Sequence, residues 1–233
     1  MRFGLSRRFI WRVGDLPRDG SVKVALLGAL ADPSPRVRYS ACVGLSTRKE
    51  KGCTVAIAAR LKDADRDVRL VAVRVLGRFR EVRALPAILA LYDREKADDL
   101  REFAFAESLA NLGETKVSLT AARRALDSDN GRLRDSIVDS LRQIDSEAIL
   151  PVAMEWLASE MRRTIDRVPG SGFDRGSYAS LCFILTRGGQ KYQTDPTVWF
   201  EWWEKARVDY AAPPLKIDAG AVRKVYAEYK KAR

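Results

Sequence analysis

Apolar positions recur along this chain with a helical period. Val37, Ala41 and Leu45 fall at i, i+4 and i+8, and Val68, Ala72 and Leu76 repeat the spacing, so each set lies on one helical face. Four segments, PRVRYSACVGL, RDVRLVAVRVL, DDLREFAFAESL and GRLRDSIVDSL, align on an apolar–arginine pair. Their anchoring arginines are Arg38, Arg69, Arg101 and Arg134, spaced 31, 32 and 33 residues apart. Val37, Val68, Leu100 or Leu133 precedes each, and Ala41, Ala72, Ala104 or Ile137 comes three later. Twelve before each stands Leu26, Ile57, Leu89 or Ala122, in what reads as an earlier helix of the same unit. Ser34, Asp65, Ala97 and Asn130 lie four before the arginines, and three of these four are good N-caps. Pro35 follows at a first helical position, where a missing N–H costs nothing. The pattern predicts a helical hairpin every ~32 residues, a unit that buries its apolar face only by stacking on its neighbours.

DPSPRVRYSACVGL and DADRDVRLVAVRVLGRF resemble HEAT repeats, of the short bacterial kind similar to those in phycobilisome lyases. The resemblance covers roughly residues 21–160 and implies an all-α chain, an α-solenoid of stacked helical hairpins. In that family an Asp after the first helix and an Arg early in the second form a hydrogen-bonded ladder between repeats. The matching positions are Asp32 and Arg38, and Asp63 and Arg69, with Glu95 offered to Arg101. The fourth copy departs, because Ser128 stands six before Arg134 and Asp127 is one residue early. About function such a resemblance implies little, since stacks of this type serve many purposes.

Beyond the four copies, residues 146–160 read as the first helix of a fifth unit. Pro169, Gly170, Gly172 and Gly176 then break any helix, and SYASLCFILTR resumes one that Gly188 and Gly189 stop. Asp195 and Pro196 open a further helix in which Trp199, Trp202 and Trp203 share a face. A last helix ends in a basic run. These features divide the chain into a basic arm (1–20), the repeats (21–160) and a loop with C-terminal capping helices (161–233). The three tryptophans are expected to cover the end of the stack; stacking on a base is the other reading. Phe9, Ile10 and Trp11 would do the same at the opposite end, or serve as an arm for a membrane surface or a partner.

Composition then limits the chemistry. Of 233 residues, 42 are Lys or Arg and 31 Asp or Glu, a formal charge of +11, and arginines outnumber lysines 30 to 12. The excess is uneven: residues 1–90 carry 19 basic against 8 acidic side chains, whereas residues 91–170 carry 12 against 16. There is no histidine, which removes the commonest general base and transition-metal ligand. Cys42, Cys53 and Cys182 form no CxxC pair and leave an odd thiol, as expected of a reducing, cytoplasmic setting. Acidic runs such as Asp63, Asp65 and Asp67 lack the glycine and closing glutamate of a calcium loop. No phosphate loop, nucleophile elbow or membrane-length apolar run occurs, and the N-terminus lacks the apolar core of a secretory signal. No metal, cofactor or catalytic residue is therefore expected.

In HEAT-like stacks the second helices line the concave surface, and positions 1, 5 and 9 after each anchoring arginine should face away from the core there. They read Tyr39, Val43 and Thr47; Leu70, Arg74 and Arg78; Glu102, Ala106 and Ala110; Asp135, Asp139 and Gln143. A surface that turns from basic to acidic suits a protein partner better than a phosphate backbone. The expectation is a non-catalytic scaffold or adaptor whose partner contacts Tyr39, Leu70, Arg74, Arg78, Glu102, Asp135 and Asp139. The alternative is a nucleic-acid-binding protein, such as a HEAT-like glycosylase for alkylated bases. A bilin lyase or maturation factor is a third reading, carried by the repeat type alone.

Overall fold

The computed structural model describes residues 20–50, 52–126, 128, 130–142, 144, 146–166, 175–217 and 219–231. Phe9, Ile10 and Trp11, the rest of the arm before Gly20, and Pro169, Gly170 and Gly172 lie outside the described residues. Twelve α-helices and no strand occur among the described residues. They divide into two units, between Glu114 and Thr115.

Unit 1 holds three hairpins: α1 (Ser21–Ala29) with α2 (Pro35–Thr47), α3 (Thr54–Ala59) with α4 (Arg66–Arg78), and α5 (Leu85–Arg94) with α6 (Asp99–Asn111). The second helices pack side by side, α4 between α2 and α6. Leu45, Ile57, Leu76, Ile88 and Leu109 are fully buried, and they come from both helices of the hairpins. The middle position of α4 shows in its burial: Val68, Leu70, Val71, Ala72, Val73, Val75, Leu76 and Gly77 are all inside. The expected core valine of the first copy behaves otherwise, since Val37 in the first described hairpin is 38% exposed where Val68 is 0%. Leu100 is likewise exposed, and α6 starts one residue later than predicted, with Asp98 rather than Ala97 capping it through the Arg101 N–H. Asp65 caps α4 through the Val68 N–H, whereas Ser34 precedes α2 without a side-chain cap.

All three second helices of unit 1 end in the same backbone motif, which the sequence pattern does not announce. Lys49, Arg80 and Gly113 adopt φ of 52°, 52° and 82°. The N–H of the next residue, Glu50, Glu81 or Glu114, reaches back to the carbonyl of Leu45, Leu76 or Leu109. These are Schellman closures, in which the left-handed residue suits glycine and strains a side chain. Only the third copy has the glycine. Lys49→Gly and Arg80→Gly are each expected to raise stability by roughly 0.5–1 kcal/mol, since the relieved strain exceeds the entropy glycine adds to the unfolded chain. Urea unfolding of the two variants checks this; a lower midpoint would show that the side chains contribute more than the strain costs.

Unit 2 contains a fourth hairpin, α7 (Thr115–Arg124) with α8 (Gly131–Leu141), and a fifth, α9 (Leu150–Asp166) with α10 (Arg175–Leu185). Helices α11 (Pro196–Ala206) and α12 (Ala219–Lys231) complete it, α12 packing on both α9 and α11. Asp195 caps α11 through the Thr197 N–H, and Pro196 takes the first helical position. Trp156, Trp199 and Trp203 are fully buried, and Trp202 stands edge-on to Trp199. The Trp202 ring rests on Gly188, where a Cβ would lie 2.5 Å from it. Gly188 thus makes room for an indole while its neighbour Gly189, at φ 76°, turns the chain.

Candidate functional site

The anchoring arginines form a repeated bond pattern that partly differs from the spacing read in the sequence. Arg38 spans hairpins: its Nε and Nη2 donate to the Asp63 carboxylate at 2.8 and 2.6 Å, and Nη1 donates to the Asp32 carbonyl. Arg69 does the same with Glu95 and the Asp63 carbonyl, and Arg134 with Glu160 and the Ser128 carbonyl. In each case the carbonyl lies six residues back and the carboxylate 25 or 26 residues on. At Asp63 the two roles meet: its main chain serves Arg69, six residues on, and its side chain serves Arg38 of the preceding hairpin. Hydrogen bonding from Arg38 holds the Asp63 carboxyl below the ordinary carboxylate range. Asp32 instead orders its own turn, accepting from the Ser34 N–H.

Arg101 is a correction to this scheme. It does not take up Glu95, which Arg69 and Arg66 already hold; it turns inward to the adjacent Glu102 and to the Tyr92 carbonyl at the end of α5. Other arginines also bond carbonyls near helix ends, where the dipole is negative. Arg60 reaches the Leu30 carbonyl, Arg163 those of Leu126 and Ser128, and Arg187 those of Arg142 and Ile144. Much of the arginine excess is therefore engaged inside the fold. A guanidinium suits that role because it presents several donors in a fixed fork.

On the second-helix layer of unit 1, Arg74 and Arg78, one turn apart on α4, both donate to Glu107 of α6, at 2.9 and 3.1 Å. Arg74 also lies over the Phe103 ring, 4.4 Å from its centroid. Tyr39 of α2 is half-buried within the field of both arginines and of Asp67, and burial pushes its hydroxyl pKa up. Two guanidiniums sharing one carboxylate leave a positive charge beside a tyrosine, with the Arg78 side chain 49% exposed. Glu107 was missed in the sequence reading, yet it stands 33 residues after Arg74, one repeat further on, so the repeat register itself carried the signal.

Leu70 and Glu102 are not on this surface. Leu70 is packed into the seam of the middle helix, and Glu102 is buried on Arg101 and the Tyr92 hydroxyl. Ala106 and Ala110 are buried as well. A three-position stripe overestimates exposure, because a helix flanked on both sides buries a wider arc than a helix with one neighbour. Asp135 and Asp139 belong to unit 2, where Asp135 is half-buried and exposed Asp139 accepts a hydrogen bond from Ser180.

Other chemistry is sparse. Cys42, Cys53 and Cys182 are free and buried, and burial pushes the Cys42 thiol up to about 12 and that of Cys182 to about 11. Both are poor nucleophiles in that state. Among the described residues no cluster of His, Cys, Asp and Glu could hold a metal ion, and no helix is long and apolar enough to cross a membrane.

Comparison with known proteins agrees with the repeat register. A family model described as HEAT repeats matches residues 23–110, while no curated protein and no solved structure gave a match. The hairpins that carry Tyr39, Arg74, Arg78 and Glu107 are those of a HEAT-repeat domain spanning residues 23–110 of this chain.

Proposed function

We propose that the HEAT-repeat unit is a non-catalytic protein-binding module, a scaffold or adaptor, whose partner sets a carboxylate on Arg78 and Arg74 beside Tyr39. HEAT repeats commonly mediate protein–protein interactions. The observation that carries the finer reading is the shared Glu107: two arginines on one carboxylate, pre-positioned by Phe103, with a half-exposed guanidinium left over. Arginine and tyrosine are the side chains that concentrate binding energy at protein interfaces. Against a nucleic-acid groove stands the engagement of Arg38, Arg60, Arg66, Arg69 and Arg101 with carboxylates and carbonyls of unit 1. Arg36, Arg80, Arg83 and Arg94, with Lys49, Lys62 and Lys96, are exposed in unit 1 without an ion pair among the described residues, and they are the side chains a phosphate backbone would have to use.

The test compares the native chain with an Arg74→Glu/Arg78→Glu variant. Proteins retained by the immobilised native chain should be lost from the variant, with affinity reduced at least roughly tenfold once the partner is purified. Labelled duplex and single-stranded DNA and RNA should bind weakly near physiological salt and equally to both chains. Tight nucleic-acid binding that falls steeply with salt and disappears in the variant would overturn the reading.

A further inference from the structure

Unit 2 contains a groove of about 230 Å³ that none of the repeat bonding uses. Pro151, Glu155, Ala158 and Arg162 form one wall, and their i, i+4, i+7, i+11 spacing puts them on one face of α9. The end of α7 contributes Arg123 and Leu126, and the chain after α11 supplies Ala212, Pro213, Pro214 and Leu215. Two consecutive prolines lack N–H groups and have fixed φ, so this strap stays extended rather than folding into the groove. Trp203 also lines the groove; its ring stacks on Tyr210 at 5.6 Å, and the Tyr210 hydroxyl donates to Glu147.

The lining is apolar and the rim is positive. Glu155 is neutralised by Arg123 at 2.9 Å. Arg162 spends one N–H on the Lys216 carbonyl, and the exposed Lys216 ammonium has no partner among the described residues. Three cations thus surround a single, already paired carboxylate. The volume is below the ≈ 300–1,000 Å³ usual for small-molecule and cofactor sites. It is of a size for an amino-acid side chain.

We infer that this groove binds a linear acidic peptide segment of a partner protein. One leucine- or phenylalanine-sized side chain enters against Pro151, Leu215 and the proline strap, above the buried Trp203, and neighbouring carboxylates lie on Arg162 and Lys216. Apolar burial supplies the anchor and charge complementarity sets the choice of segment. The site lies in unit 2 and is independent of the Arg74–Glu107–Arg78 face.

The probe is a fluorescein-labelled heptapeptide with a central leucine flanked on each side by three glutamates, titrated by anisotropy into the full chain. Saturable binding is expected, with affinity falling roughly tenfold for Arg162→Glu/Lys216→Glu and for a peptide with alanine at its centre. Arg74→Glu/Arg78→Glu, on the other unit, should bind the probe unchanged. In ¹⁵N spectra the indole N–H resonance assigned by Trp203→Phe should move on titration, and this readout reports the groove even if a rim variant folds poorly. No saturation, equal binding of the alanine-centred peptide, or a Trp203 resonance that stays in place while the probe binds would each overturn the inference.

Discussion

Arg101→Ala is expected to lower folding stability by about 3–5 kcal/mol, because it removes the guanidinium from a buried ion pair. Arg101 and Glu102 are only 4% and 3% exposed. The guanidinium donates to the Glu102 carboxylate and to the Tyr92 carbonyl, and it stacks on the Tyr92 ring 3.8 Å from the centroid. Without it Glu102 keeps the Tyr92 hydroxyl, at 3.3 Å, and loses the Arg101 guanidinium. Alanine also leaves a void between Tyr92 and Phe105, whose rings meet edge to face. The double variant Arg101→Met/Glu102→Met should recover most of the loss, because the desolvation of both charges is removed with them. Urea unfolding of the full chain measures both changes, and amide exchange in α5 and α6 places them in unit 1. A loss below about 1 kcal/mol for the single variant, or a double variant no better than the single, is incompatible with a buried ion pair at this place.

Gly77→Ala is the second large effect, at about 1–3 kcal/mol and toward the upper end of that range. A Cβ on Gly77 would lie 2.5 Å from the Ser108 Cα and 2.7 Å from its Cβ. The nearest atom is backbone, and Ser108 is held where it is by a hydrogen bond from its hydroxyl to the Ala104 carbonyl. No side chain can swing aside, so α4 and α6 must move apart along the seam that joins the second and third hairpins. Gly28→Ala supplies the contrast: it sits in α1 with nothing within 4 Å of its virtual Cβ. There alanine is expected to stabilise by roughly 0.5–1 kcal/mol through helix propensity. If the two substitutions shifted the unfolding midpoint in the same direction, the close approach of α4 and α6 would be refuted.

Legibility in the sequence followed the physics of each feature. The hairpins were readable because apolar spacing, Pro35, Asp65 and Asp195 act within a few residues of where they stand. The aromatic face of α11 was readable for the same reason, with Trp199 and Trp203 both buried in unit 2. Partner choice was not. Spacing matched Arg38 to Asp32, six residues back, and only the stacking of hairpins puts the Asp63 side chain within reach. Leu70 and Glu102 looked accessible on a helical wheel, which carries no information about how many neighbours a helix has.

What the chain determines by itself is local: the ~32-residue period, the helix starts, the all-α class and the lack of histidine chemistry all follow from residue type and spacing. Tertiary structure decided where the charges go. Arginines that read as a basic surface are bonded across hairpins to Asp63, Glu95 and Glu160, or fastened to helix-end carbonyls. The proposed contacts draw on cations the packing leaves reachable, Arg78 beside Tyr39 in one unit and Arg162 with Lys216 in the other. A guanidinium's charge is a property of the residue, but whether that charge is available depends on which acceptor the packing brings within about 3 Å.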